Sequence, residues 1–233
     1  MNQILVTKKL YITPELKRKK KIYKFDFFLS ILLICILASV YAYASYDRNK
    51  SEAVSQEILA EITPEDNTVV DDDVLVVYLD EGIEEEQITE AINQNQTITA
   101  SNGKTYSPIA TINIPAIGVN YPILSETSDE LLKIAPCKFW GPEPNEVGNF
   151  CIVGHNYRSS KFFSKVPNLE KGETIDITDL SGRKFTYIIY DKYTVEPSNV
   201  ACTSQLTNGK TEITLITCTN DNKERVIVKA TKI

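Results

Sequence analysis

Residues 27–44 read FFLSILLICILASVYAYA and contain no charged side chain. As an α-helix this run extends about 27 Å at ~1.5 Å per residue, close to the hydrocarbon thickness of a bilayer. The flank before it, residues 1–26, carries Lys8, Lys9, Lys17, Arg18, Lys19, Lys20, Lys21 and Lys24 against Glu15 and Asp26. Basic flanks are retained on the cytoplasmic side. The pattern predicts a basic cytoplasmic segment (1–26), a single transmembrane anchor (27–44) and an extracytoplasmic remainder. The basic residues are also suited to anionic headgroups of the cytoplasmic membrane. A cleaved signal peptide is the competing reading, because Ala42-Tyr43-Ala44 has the small-residue form of a cleavage site. The run is longer than the roughly 7–15 residues of a signal core, which favours an uncleaved anchor.

From Ser51 to Asn102 there is no Lys or Arg, while Asp and Glu recur throughout. Residues 45–103 therefore read as an acidic, self-repelling extracytoplasmic linker. Two pieces depart from that reading: the apolar stretch 74–79 (VLVVYL), and residues 84–95, which have the makings of a short helix. Together they predict partial order near 74–95, either packed on the following domain or lying over its site. A basic N-terminal run is also a candidate nucleic-acid patch, but beside a membrane span the topogenic reading wins, and no nucleic-acid partner is expected.

Residues 104–233 read as one β-rich domain. Candidate strands are Ile109–Ile114, Val119–Leu124, Phe150–Val153, Thr174–Ile177, Lys184–Tyr190, Thr211–Cys218 and Arg225–Thr231, separated by turn chemistry at 115–118, 141–145, 180–183 and 207–210. Short helices are expected at Ser128–Ala135 and Ser160–Phe163. The expected class is all-β with short helices, a sandwich or closed barrel. Of the five cysteines, Cys35 is in the apolar run. An oxidising compartment permits one disulfide among Cys137, Cys151 and Cys202, against the alternative of buried small hydrophobes. One histidine and no Cys/His spacing of the zinc type leave no metal site to propose.

Two β-branched runs, Thr214–Thr217 and Val226–Val228, flank the polar residues 219–224. If they pair as a hairpin, Cys218 and Arg225 face each other with Cβ atoms about 4.5–5.5 Å apart. A guanidinium there favours a thiolate or holds an oxyanion beside it; the plainer reading is a buried thiol and a surface cation. The sole histidine, His155, follows the strand 150–153 and a glycine, at a strand exit where a barrel rim carries a site.

These residues resemble the sortases, cysteine transpeptidases of Gram-positive bacteria. Thr214-Leu215-Ile216-Thr217-Cys218 matches the family's TLxTC motif, Gly154-His155-Asn156 its histidine motif, and Arg225 its arginine. The approach GPEPNEVGNFCIVGHN and the stretch Lys192–Pro197 are also similar to the family. The resemblance covers about residues 105–233 together with the N-terminal anchor. It implies a closed eight-stranded β-barrel preceded by one N-terminal transmembrane helix. It implies Cys218 as nucleophile, His155 as general acid/base and Arg225 as stabiliser of the oxyanion or substrate. Thr217, Asn156 and Pro197 become candidates for substrate contact, and Asn156 or Asp191 for orienting the histidine. The implied partners are the sorting-signal peptide of secreted proteins and an amine acceptor, from a peptidoglycan cross-bridge or a pilin lysine. No cofactor is implied; some family members bind calcium through acidic loops, and no dedicated loop of that kind is seen here. The interval 193–210 is too short for the helical insertion of class B, so class D or a class A-like member is expected. The alternatives are another extracytoplasmic thiol hydrolase or peptidase, and a non-catalytic membrane-anchored binding module.

Overall fold

The structure, a computed structural model, describes residues 14–63 and 96–233. The expectations for 74–79 and 84–95 lie outside the described residues. The chain forms two compact units, 1–49 and 50–233. In the first, the helix α1 (Pro14–Ile62) carries the apolar run. Phe27, Leu33, Leu37 and Tyr41 are all more than half exposed along it. By length and composition α1 is a candidate membrane span.

Residues 50–62, which charge alone assigns to a spacer, are the last turns of α1. Val54, Ile58 and Leu59 recur at helical spacing and form one apolar face. That face is buried against Ile98, Ala100, Tyr106, Leu124 and Leu132. Ile98 and Tyr106 come from a two-stranded hairpin, β1 (Ile98–Thr99) and β2 (Thr105–Tyr106). Polar bonds reinforce the docking: the Ser101 N–H and hydroxyl both donate to the Glu57 carboxylate, at 2.8 and 2.7 Å.

The remaining strands are β3 (Pro108–Ile114), β4 (Val119–Leu124), β5 (Cys137–Trp140), β6 (Gly148–Val153), β7 (Thr174–Asp179), β8 (Lys184–Val195), β9 (Thr211–Cys218) and β10 (Arg225–Lys232). They close a barrel in the order β10-β8-β7-β3-β4-β5-β6-β9, the architecture expected. Strand β3 alternates fully and partly buried residues, the period-2 signal of a strand with one face in the core. Ala110, Ile112 and Ile114 point inward with Phe150, Ile152, Ile177, Tyr187, Ile213, Leu215 and Val228.

Three local expectations change. Strand β5 lacks a strand signal in sequence because it is four residues long, with Phe139 and Trp140 exposed. Strand β8 continues past Tyr190 to Val195, since its ladder with β10 runs on to the pair Val195↔Arg225 and overrides the polar Asp191-Lys192. A three-residue 3₁₀ turn, Leu131–Lys133, stands within the helix expected at Ser128–Ala135, while Ser160–Phe162 are not helical and a six-residue 3₁₀ turn begins only at Phe163 and runs to Asn168.

Strand β9 is buried on both faces. The connection 196–210 lies over its outer face and contributes Cys202, which packs with Cys151, Ile216 and Ile227. Asn149, fully buried, fastens this connection. Its side-chain amide donates to the carbonyls of Cys202 and Ser204 at 2.9 and 3.1 Å, and its oxygen accepts from the Thr214 hydroxyl at 2.7 Å.

No disulfide forms: Cys137, Cys151 and Cys202 are free buried thiols. Burial pushes Cys137 and Cys151 up to about 12 and raises Cys202. They are protonated and serve as small apolar side chains.

Asn149→Ala orphans the Thr214 hydroxyl and the Cys202 carbonyl in a buried site and frees the part-buried Ser204 carbonyl. Each such group costs about 1–3 kcal/mol, so a loss of about 2–4 kcal/mol is expected from chemical denaturation, with partial relaxation sparing the rest. Protease sensitivity should rise within 196–210; a variant of unchanged stability and resistance would show that Asn149 does not hold the connection.

Candidate active site

Strand β9 lies between β6 and β10 at the end of the barrel where Cys218 sits. With β10 it forms the expected hairpin, and Cys218 is the register partner of Arg225. The turn between them is held from within. The Thr219 N–H donates to the Glu224 carbonyl at 3.0 Å, the Thr219 hydroxyl donates to Asp221 at 2.6 Å, and Asn222 adopts φ 62°. An internally bonded turn fixes the arginine opposite the thiol. The Arg225 Nη1 donates to the Glu224 carbonyl at 3.3 Å. No ion pair neutralises the guanidinium among the described residues.

On its other side β9 runs parallel to β6, with Val153 opposite Ile216. The register continues beyond the strand end, since the Gly154 N–H donates to the Ile216 carbonyl at 3.1 Å. Two further bonds bracket the next step. The Thr217 hydroxyl donates to the Gly154 carbonyl at 2.8 Å, and the Asn156 side-chain amide donates to the Cys218 carbonyl at 2.9 Å. Extrapolated beyond the last pair, this register sets the His155 position opposite Cys218. Cys218 thus ends the middle strand, with Arg225 as its ladder partner on one side and the chain that continues β6 on the other. All three residues are partly exposed.

Gly154 is required by close approach: a Cβ there would lie 2.6 Å from the Phe163 ring. Phe162 adopts φ 50° and ψ −133°, an uncommon conformation for a non-glycine residue that surrounding contacts must enforce. The loop it closes is bonded across its base, since the Phe163 N–H donates to the His155 carbonyl at 3.1 Å.

The candidates for substrate contact are placed differently from one another. Thr217 is 1% exposed and its hydroxyl is spent on Gly154, so its side chain fastens the histidine strand instead of facing a ligand. Asn156 is a strap. Its amide bonds Cys218 and Asn220, and its oxygen accepts the Arg158 N–H at 2.9 Å. Pro197 is exposed and lies two residues beyond Val195, the other register partner of Arg225, which places it at the same rim.

Asp191 is committed elsewhere: a hydrogen bond from Lys171 at 2.8 Å holds its carboxyl below the usual range. The acid that acts on His155 is Asp129, from the loop between β4 and β5. Burial lowers the His155 pKa, Asp129 opposes that shift, and Lys133 adds to it. The Tyr157 ring lies 5.1 Å from the imidazole. Asp129 and Lys133 carry no sequence signal, because a chain fold of more than twenty residues brings them to the histidine. Tyr157 had one, an aromatic side chain two positions after the sole histidine.

The profile of the Sortase domain family matches residues 112–233. The chain belongs to the sortase family. It is 28% identical to Sortase A of Bacillus anthracis, over 52% of this chain and 57% of the relative. It is 29% identical to Sortase A of Streptococcus agalactiae, over 52% and 51%. This sortase therefore spans about half the length of the curated relatives it matches. Among solved structures, a Clostridium perfringens Sortase D5 transpeptidase superposes with a TM-score of 0.54 at 26% identity, covering 81% of this chain and 99% of that one. Sortase C-1 from Actinomyces oris gives 0.50 at 26%, covering 54% and 74%. Cys218, His155 and Arg225 all lie within the matched residues; the helix end 50–62 and the β1–β2 hairpin precede them.

Because the folded protein resists protonation of His155, acidification below roughly 6.5 favours the unfolded chain, which takes that proton more readily. Asp129→Asn removes the opposing charge, so the His155 titration midpoint should move down. With one histidine in the chain, histidine-selective NMR reads that midpoint directly; an unchanged or higher value would show that Asp129 does not act on it.

Proposed function

We propose that this sortase is a membrane-anchored cysteine transpeptidase, with its N-terminus cytoplasmic and its barrel outside. In this reading it cuts the C-terminal sorting signal of secreted proteins and passes the acyl group to an amine. The observation that supports it is the register: Cys218 pairs with Arg225 across β9 and β10, and the parallel register of β6 and β9 runs on toward His155.

A neutral imidazole suits the first step. Burial keeps His155 from holding a proton, so it can accept the one on the Cys218 thiol as the sulfur attacks the scissile carbonyl, a Thr–Gly-type peptide bond. The S–C bond forms and the carbonyl oxygen becomes an oxyanion. Arg225, which no acid neutralises among the described residues, stabilises that charge. The imidazolium then protonates the departing amine as the C–N bond breaks, and a thioester remains. An incoming amine, from a peptidoglycan cross-bridge or a pilin lysine, loses its proton to His155 and displaces Cys218. The thioester conserves the acyl-transfer potential of the cut bond, so no nucleotide is consumed. Water in place of the amine gives hydrolysis as a side reaction.

Pro197 and the rim it shares with Arg225 are the proposed wall for the peptide. Thr217 and Asn156 act on the substrate only indirectly, by holding Gly154 and the end of β9. The connection 196–210 contains a single 3₁₀ turn, Ala201–Thr203, and no long helix. That favours class D or a class A-like member over class B, as does the alignment over 99% of the Sortase D5 chain.

Cys218→Ala should abolish the acyl-enzyme that mass spectrometry detects when sorting-signal peptides are supplied with amine acceptors. A thioester adduct in that variant would defeat the assignment. Arg225→Lys should lower kcat/KM by about 10²–10³, the scale for removing one oxyanion donor, because an ammonium does not reproduce the planar fork. Near-normal turnover would reduce Arg225 to a surface charge.

A further inference from the structure

The helix end that docks on the barrel reaches the loop that carries His155. Glu52, on the first of these turns, ion-pairs with Lys161 and accepts a hydrogen bond from the Tyr121 hydroxyl at 3.0 Å. Both partners hold the loop 155–163. Lys161 belongs to it. The Phe162 N–H donates to the Tyr121 oxygen at 3.2 Å, so one phenol oxygen links the helix to the loop. Tyr121 is 5% exposed, and Glu52 and Lys161 retain only 27% and 22% of their side-chain exposure. These contacts are shielded from the screening that weakens surface pairs.

From Tyr121 a train of rings continues to the imidazole. Tyr121 stacks on Phe162 with centroids 5.1 Å apart and an interplanar angle of 14°. Phe162 meets Tyr157 edge-on at 5.6 Å, and Tyr157 lies 5.1 Å from His155. Phe162 holds its left-handed backbone in the middle of this train, where the Tyr121 oxygen satisfies its N–H. Residues 50–62 lie outside the family match at 112–233.

We propose that Glu52 is a positioning residue for His155: by holding Lys161 and Tyr121 it sets the loop 155–163, and through the Phe162 and Tyr157 rings it sets the imidazole against Cys218. The proposal deepens the transpeptidase reading and rests on it only for the link to turnover. The link to histidine geometry stands without it. One consequence is that the helix end and the catalytic loop form one unit, and a barrel produced without residues 50–62 has its histidine loosened.

The test uses the full chain in detergent micelles. Histidine-selective NMR gives one side-chain signal set, from His155, and single-turnover acylation by a sorting-signal peptide reads the chemistry. Glu52→Ala should move and broaden the His155 signals and slow acylation by about tenfold or more, as for a displacement of well under 1 Å to about 1 Å. Tyr121→Phe, which keeps the ring and removes the hydroxyl, should act in the same direction. Glu52→Gln keeps an oxygen for Tyr121 and loses only the charge facing Lys161; it should fall between wild type and Glu52→Ala, and it serves if the alanine variant does not fold. Glu57→Ala breaks the helix contact at Ser101 and should leave His155 in place. Unmoved His155 signals in folded Glu52→Gln and Tyr121→Phe, or equal displacement by Glu57→Ala, would overturn the proposal. Displaced signals with acylation unaffected in both Glu52→Gln and His155→Ala would instead retain Glu52 as the positioner and remove His155 from the mechanism.

Discussion

The parallel register of β6 and β9 is the constraint on which the site depends. Parallel neighbours advance together, so two strands that pair Val153 with Ile216 also emerge from the barrel side by side. The histidine that follows one and the cysteine that ends the other are then carried to the same end of the barrel. The bonds that extend this register past the strand ends are few and specific: Gly154 to Ile216, Thr217 to Gly154, Asn156 to Cys218. A slip of one residue would turn Thr217 outward and Cys218 into the barrel, because side chains alternate faces along a strand.

The rest of the fold protects that register. Strand β9 is central, with the barrel core inside and the connection 196–210 outside, so its ladders are kept from water on both faces. The same enclosure separates the four thiols of the barrel by function. Cys137, Cys151 and Cys202 are sealed and held protonated by burial, while Cys218 emerges at the strand end between two basic side chains. Opposite the β9–β10 side, the last turns of α1 lean on the loop that carries His155. The site is therefore built from three directions: a hairpin for the arginine, a parallel neighbour for the histidine, and a helix end that steadies the histidine's loop.

Much of this was legible in the chain. The Cys218–Arg225 opposition follows from a hairpin whose strands are β-branched and whose turn is six polar residues, and local sequence is enough to set such a pairing. The membrane run is equally local, and the strand content of 104–233 follows from alternation and turn chemistry. Residues 50–62 were harder. Their charge dominates the composition, while the apolar face of Val54, Ile58 and Leu59 is narrow and acquires meaning only when a hairpin and the rim of β4 are present to receive it. Strand β5 was hidden for a similar reason: four residues with two exposed aromatics become a strand because neighbours on both sides supply a ladder.

Sequence by itself determined the candidate nucleophile, acid/base and arginine, the anchor, and the all-β class, because each is written in residue type and short spacing. Tertiary structure alone decided that the Thr217 hydroxyl and the Asn156 amide bond the backbone of neighbouring segments, that Asp129 and not Asp191 acts on the histidine, that three cysteines stay unpaired, and that Glu52 reaches the loop that carries His155. All of these depend on contacts between segments distant in the chain. Such contacts arise from the closure of the barrel and the docking of residues 50–62 upon it, and no local pattern of residues encodes where those surfaces meet.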